Sequence, residues 1–271
     1  MTADEDAFPP DELPPEEPGA MSFLEHLEEL RWVLVKSAVT FGVGCTLVGV
    51  FLANFAELLR WPYEFAVAGR EMTMVGEDGF INTGFLGVFS VIFQLMFIGG
   101  LGLSLPVILF FIAQFVAPGL TKEELRVLRP ACMGSLALFL MGAGFSFFIL
   151  LPAGLRASII FNDLLGFELL ITATSYYGLL TWSVLGVGVA FQFPLVLLIL
   201  LHIGVITVDQ LRSGRRFAIV GFLVLSAVVT PTPDPVTFLF LALPLWALYE
   251  VAIVLGARFE KRRDAASGRP A

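Results

Sequence analysis

The 271-residue sequence predicts an all-α protein that crosses a membrane six times. Three observations predict this class. Hydrophobic residues make up 57% of the chain and charged residues only 15%, which leaves too little polar surface to cover a water-soluble globule. The apolar residues are gathered into six segments that short polar joints separate. Of the 16 lysines and arginines, all but three fall on one side of the topology that these segments impose.

The first 20 residues are predicted to form a separate, disordered acidic head. They contain five prolines and no apolar run, so they cannot collapse into a core. The carboxylates of this head are Asp4, Glu5, Asp6, Asp11, Glu12, Glu16 and Glu17. The basic start and short apolar stretch of a cleaved signal do not occur before Trp32, so we expect the first span to stay uncleaved.

Residues 21–31 have the apolar periodicity of an amphipathic helix that leads into the first span. Glu25, Glu28 and Glu29 share the arc opposite the apolar stripe. Like charges at this spacing are tolerable on a solvated face and become favourable opposite a cationic partner. The pattern fits an ordinary solvated helix face and a binding surface for a cationic partner, and both interpretations stay open.

The predicted spans are 32–55, 85–116, 131–151, 177–202, 217–229 and 236–257. An even number of spans places both termini on one side. Only Arg60, Arg70 and Arg156 lie on the opposite side. Because basic residues in short loops are retained in the cytoplasm, we expect cytoplasmic termini and outer loops at 56–84 and 152–176. The membrane domain is predicted at 21–260, followed by a short basic tail at 261–271.

Two spans have unusual lengths. A hydrocarbon core of roughly 30 Å needs about 20 helical residues. The second segment is longer than this and contains Pro106, which predicts a long helix bent at that proline. The fifth segment, 217–229, would cover only about 20 Å, which predicts either a locally thinned bilayer beside it or snorkelling of Arg215 and Arg216 to the interface. The proline-rich joint 230–235 predicts a tight hairpin between the fifth and sixth spans.

The chain lacks the sequence signatures of catalysis. No HExxH, GxSxG, phosphate-binding loop, nucleotide fingerprint or Cys/His cluster occurs, and the only histidines are His26 and His202. Cys45 and Cys132 fall at different depths in their spans and are interpreted as small apolar packing residues. We therefore predict no enzyme, cofactor, metal site or nucleic-acid partner. The absence of central ionisable residues from the spans also weakens the alternative of a small-solute secondary transporter.

Several polar residues are candidates for function. Glu124 has capping-box spacing from Thr121, yet together with the glutamates before the first span it could present a carboxylate patch to an arginine-bearing peptide. Gln192, deep in the fourth span, must find a hydrogen-bond partner either within the bundle or on a partner helix. Tyr176 and Tyr177 are expected in an interfacial belt, and Glu250 is a candidate buried carboxylate paired with a cation.

Taken in order, these segments resemble the TatC family of twin-arginine protein translocase subunits. The resemblance runs from about Ser22 to Glu260. The matching stretches are His26-Leu-Glu-Glu-Leu-Arg31, Ser104-Leu-Pro106, Phe115-Val-Ala-Pro-Gly-Leu-Thr-Lys-Glu-Glu124, Phe191-Gln-Phe-Pro194, the loop 204–216, Thr232-Pro-Asp234 and Leu248-Tyr-Glu250.

The resemblance implies a six-helix, cup-shaped receptor subunit of a system that exports folded proteins across the cell inner membrane with the proton motive force. Its implied partners are twin-arginine signal peptides, single-span proteins of the TatA and TatB type, and further copies of itself. Glu29 and Glu124 would bind the consecutive arginines, and Phe115 and Arg31 would shape that cytoplasmic site.

The resemblance also implies positions outside that site. Pro62 and Tyr176 would shape the outer loops. Pro106, Asp234 and Glu250 lie in other matching stretches and are expected to be structural. The family commonly has a glutamate where this chain has Gln192, which can still contact a partner helix but cannot carry charge or titrate.

Overall fold

The computed structural model describes residues 23–68, 80–82, 84–116, 122–167, 169–202, 205–230 and 235–267. Within these ranges the chain forms α-helices, one π-helical turn at Ser146–Leu150 and no β-strand. The helices are α1 Phe23–Val50, α2 Leu52–Val67, α3 Gly87–Val116, α4 Lys122–Phe145, α5 Leu151–Leu165, α6 Ala173–Ala190, α7 Phe193–His202, α8 Val208–Val229 and α9 Pro235–Ser267. The predicted all-α class is confirmed.

Five helical stretches within the described residues are long and apolar enough to cross a membrane. They are Leu24–Val50, Gly87–Ile112, Cys132–Leu165, Ala173–Leu201 and Thr237–Arg258. The fifth predicted span corresponds to α8, which is 22 residues long but carries four charged residues before Phe217. The apolar part of α8 is therefore the short segment that the sequence predicts.

Both predicted outer loops contain a helix, which the sequence pattern did not predict. In the first loop, α2 buries Leu59, Tyr63 and Ala66, whose spacing places them on one face of a helix. In the second, α5 follows directly on the π-helical turn and has Pro152 in its first turn.

The predicted fourth span is interrupted. Helix α6 ends at Ala190 and α7 begins at Phe193. Pro194 explains the break, because a proline lacks the N–H that would bond the carbonyl of Ala190 and its ring crowds that carbonyl. By contrast, α3 continues as a helix through Pro106, and a bend there stays a prediction. Helix α9 extends to residue 267, so most of the predicted tail is helical.

Helices α1 and α3 pack antiparallel along a glycine seam. A Cβ atom on Gly44 would lie 2.7 Å from the carbonyl oxygen of Gly100, and one on Gly100 would lie 2.8 Å from the amide nitrogen of Cys45. Contacts this short leave no room for a methyl group on either residue. The two glycines therefore let the helix backbones meet, which is the usual close packing between membrane helices.

The core comprises two clusters at different places in the bundle. One joins α2, α3, α5 and α6 around Tyr176 and Leu180, and the other joins α6, α7, α8 and α9 around Leu241 and Leu245. Large apolar residues elsewhere on the helices are exposed, such as Phe93 and Val228. Such exposure is expected of helix faces that contact lipid tails.

Tyr176 and Tyr177 belong to the first cluster and are buried, so the expectation that they form an interfacial belt is wrong. The Tyr176 hydroxyl donates a 2.7 Å hydrogen bond to the carbonyl oxygen of Leu59, and Tyr177 donates to the carbonyl oxygen of Ala56 at 3.4 Å. The two tyrosines thus attach the start of α6 to α2.

The substitution Tyr176→Phe tests this attachment. It removes a buried hydrogen bond worth about 1 kcal/mol, so we expect the Tm of the purified protein to fall by about 2–4 °C. The control is Trp182→Phe on the same helix, because Trp182 is 74% exposed. Equal effects of the two substitutions would contradict the role assigned to Tyr176.

Candidate functional site

The predicted signal-peptide residues lie where α1 begins, α3 ends and α4 begins. The imidazole of His26 on α1 stacks on the ring of Phe115 on α3, with a centroid distance of 4.4 Å and an interplanar angle of 17°. This stack joins the two helix ends beyond the glycine seam. It forms an aromatic platform near Glu29 of α1.

Glu29 lies three residues after His26, and so on the same face of α1. Its side chain is half-buried, and its Oε2 atom is buried with no hydrogen-bond partner among the described residues. Glu28, by contrast, is exposed. A carboxylate oxygen withdrawn from water without a donor is strongly favoured to accept a hydrogen bond from a cationic group.

The surroundings of Glu29 suit a planar cation. An arginine guanidinium presents several donors in a fixed fork and also stacks on aromatic faces. The Oε2 atom of Glu29 offers the acceptor, and the His26–Phe115 pair offers the aromatic face. Further along the seam, the Lys36 ammonium lies 5.9 Å from the centre of the Phe111 ring, which shows that this face of α3 already accommodates a cation.

The structure places the other two predicted site residues, Arg31 and Glu124, on two different helices. Arg31 lies on α1 and is exposed. Glu124 lies in the first turn of α4, the helix that follows α3 in the chain. Phe115 is in the last turn of α3. Its side chain, the preceding residues 117–121 and the acidic head lie outside the described part of the structure.

Gln192 lies away from this site, at the break between α6 and α7, and its amide is satisfied inside the chain. The Ser135 hydroxyl on α4 donates to Gln192 Oε1 at 2.6 Å, and Gln192 Nε2 donates to the backbone oxygen of Ser135 at 3.0 Å. This reciprocal pair favours the interpretation of Gln192 as a link between helices of the bundle. Its contact with a partner helix stays a prediction.

The substitution Gln192→Glu tests the reciprocal pair, because an ionised carboxylate can accept from Ser135 but cannot donate to its carbonyl oxygen. We expect a lower Tm than in the parent, with a deficit that grows as pH rises and the carboxyl ionises. When protonated, the acid can donate to the Ser135 carbonyl and restore the pair. Thermal unfolding at about pH 5 and about pH 8 measures this difference.

The control is Gln192→Leu, which removes both hydrogen bonds at every pH. Its deficit should therefore be independent of pH. A Gln192→Glu deficit that is equally insensitive to pH would mean that the side chain does not face the Ser135 carbonyl.

The remaining predicted residues have structural surroundings. Pro62 is fully buried within α2, and Tyr176 contacts the same helix. Arg215 donates to Glu250 across a 2.7 Å ion pair between α8 and α9, so the predicted pairing of Glu250 with a cation is observed, but its predicted burial is wrong because the Glu250 side chain is 29% exposed. Asp234 lies outside the described residues.

Sequence reasoning assigned no role to two residues that the structure brings forward. His26 is part of the matching stretch before the first span, and its spacing of three from Glu29 could have indicated a shared face. Ser135 carried no usable signal, because serine is common in membrane helices and its partner is 57 residues away. In the described part of the chain, no group of three or more His, Cys, Asp or Glu residues could hold a metal ion.

The fold and these residues define a multi-pass membrane protein with a glutamate-bearing candidate site at one end of a helical bundle. Comparison with known families gives it a more specific identity. The family model of TatC, the Sec-independent protein translocase protein, matches residues 25–244. The chain belongs to the TatC family.

Individual relatives cover nearly the whole chain. TatC of Deinococcus radiodurans is 34% identical over 264 residues, which is 95% of this chain and 93% of that protein. TatC of Aquifex aeolicus is 32% identical over 238 residues, which is 87% of this chain and 95% of that protein.

Two solved structures carry the same fold. Both are crystal structures of the twin-arginine translocase receptor TatC, one of them in DDM. Their TM-scores are 0.67 and 0.71, each at 32% identity, and they cover 86% and 85% of this chain and 98% and 99% of their own. The predicted resemblance and the predicted function as a receptor subunit of the twin-arginine translocase are confirmed. Family membership identifies a translocase component and not an enzyme.

Proposed function

We propose that this chain recognises folded precursors through the Glu29 end of the bundle. Glu29 and Glu124 bind the consecutive arginines of the signal peptide, and Phe115 and Arg31 shape the site. The observation that carries the proposal is the buried Oε2 atom of Glu29, which has no hydrogen-bond partner among the described residues. A guanidinium supplies the donors that this atom lacks and gains a charge-assisted hydrogen bond.

The aromatic stack contributes to specificity. Arginine and lysine carry the same charge, but only the guanidinium is planar and able to stack while donating two parallel hydrogen bonds. The His26–Phe115 pair is a flat surface within one helical turn of Glu29. A site of this composition should therefore bind a pair of arginines more tightly than a pair of lysines.

The orientation follows from the basic residues. With most lysines and arginines on the side of the Glu29 end, the positive-inside rule places that end and both termini in the cytoplasm. We place the protein in the cell inner membrane with TatA- and TatB-type single-span partners and further copies of itself. The proton motive force drives transport.

Site-specific photocrosslinking tests the receptor site. A photoreactive residue is placed at position 124 in membranes that contain the partner proteins, and the precursor carries either two arginines or two lysines. We expect crosslinks that are lost with the lysine pair. The control position is Leu164, which is exposed at the far end of α5. Crosslinks from position 124 that do not depend on the arginine pair would contradict this role. Glu124 would then be interpreted as a helix-capping residue only.

A further inference from the structure

The junction of α6, α8 and α9 contains hydroxyl groups buried at membrane depth. Ser183 on α6 is 0% exposed, Thr230 directly after α8 is 7% exposed and Thr237 in the first turns of α9 is 1% exposed. All three line one small void, and its other walls are aliphatic side chains and a glycine. A polar group at this depth needs a hydrogen-bond partner, because lipid and aliphatic side chains supply none.

The hydroxyl of Ser183 has no such partner in the part of the chain that the structure describes, although its Oγ atom is buried. Thr230 uses its proton in a 2.6 Å hydrogen bond to the backbone oxygen of Ser226, which leaves the Thr230 oxygen free to accept. A group that fits between these two residues must therefore be able to donate as well as accept.

The void has room for only one small molecule. Its volume is about 10 Å³, which is near the lower bound for a single water molecule. A buried water is held by two to four polar partners, and three hydroxyls line this void.

We propose that one water molecule binds in this void and joins α6 to the C-terminal end of α8. The water donates to the Thr230 oxygen and forms a second hydrogen bond with the Ser183 hydroxyl. Thr237 completes its surroundings. Because α8 packs chiefly on α9, this bridge adds a polar link between the end of α8 and α6 to their apolar contacts. It stabilises the position of the α8–α9 hairpin.

The direction in which Ser183→Ala changes the Tm distinguishes a hydrated void from a dry one. If a water is bound, Ser183→Ala removes one of its partners, and we expect the Tm of the purified full chain in lipid nanodiscs to fall by about 2–5 °C. If the void is dry, Ser183→Ala removes an unsatisfied hydroxyl, and the Tm rises or stays unchanged. The second result would overturn the proposal.

A double-mutant cycle tests the bridge itself. Ser183→Ala and Thr230→Val should cost less together than the sum of their separate effects, because either one alone disrupts the shared water. The control cycle pairs Thr230→Val with Ser104→Ala, since Ser104 is buried in α3 and bonds the Leu101 carbonyl of its own helix. That control should be additive.

Two outcomes of the cycle contradict the proposal. Additive effects of Ser183→Ala and Thr230→Val would mean that Ser183 is satisfied within α6. Coupling that is seen only when TatA- and TatB-type partners are present would mean that a partner side chain, and not water, occupies the void.

Discussion

The substitution Glu29→Gln is expected to weaken binding of twin-arginine precursors by about 10–100-fold. Glutamine keeps the shape of the side chain but removes the negative charge. A hydrogen bond to a charged group contributes about 1.5–3 kcal/mol, which corresponds to that loss in affinity. Precursor affinity to membranes containing the variant, measured beside its Tm, checks the prediction. The Tm should not fall, because Glu29 Oε2 has no hydrogen-bond partner among the described residues.

The matched control is Glu28→Gln. It makes the same chemical change at the adjacent position, where the side chain is exposed. If the three glutamates acted only as a diffuse negative surface, the two substitutions would weaken binding equally. Equal losses would therefore contradict a specific site at Glu29 while leaving membership of the translocase untouched.

The substitution Gly100→Ala is expected to reduce both stability and precursor binding. The added methyl group would lie 2.8 Å from the backbone nitrogen of Cys45, so α1 and α3 must separate. Overpacking of this kind costs about 1–3 kcal/mol, which corresponds to a fall in Tm of about 2–10 °C. Because His26 and Phe115 belong to the same two helices, separation also disturbs the aromatic stack beside Glu29.

Gly102→Ala is the control for this substitution. Gly102 lies on the same helix, and a Cβ atom there would meet nothing within 4 Å. Alanine favours a helix more than glycine does, so the control should be neutral or slightly stabilising. Thermal unfolding and precursor binding are measured for both variants. A Gly100→Ala protein as stable as the control would mean that the seam tolerates a wider spacing.

The positions of most helices followed from hydrophobic periodicity and length, but the ends of several helices did not. Helices α2 and α5 lie in segments that were predicted as loops, because their apolar residues are interrupted by charges such as Glu57 and Arg156. Arg156 is accommodated by donating to the Phe65 carbonyl and by stacking on the Phe65 ring at 4.4 Å. Such distant compensation cannot be read from a local pattern.

Some of the functional polar residues could also be selected from the sequence, whereas their contact partners could not. Glu29 and Phe115 could be selected because each belongs to a stretch that matches a known family. The partner of Gln192 could not be predicted, since an amide in a membrane span must be satisfied but any of several helices could do so. The tertiary structure selects Ser135.

The sequence by itself determined that this protein is a multi-pass helical membrane protein, which family it belongs to, and that Glu29 and Glu124 are candidates for recognition. These properties depend on composition, periodicity and ordered motifs, which are local. Only the tertiary structure decided that Glu29 Oε2 is withdrawn from water and that His26 stacks beside it on Phe115. That arrangement arises because two glycines allow α1 and α3 to approach, and so it depends on contacts between residues that are far apart in the chain.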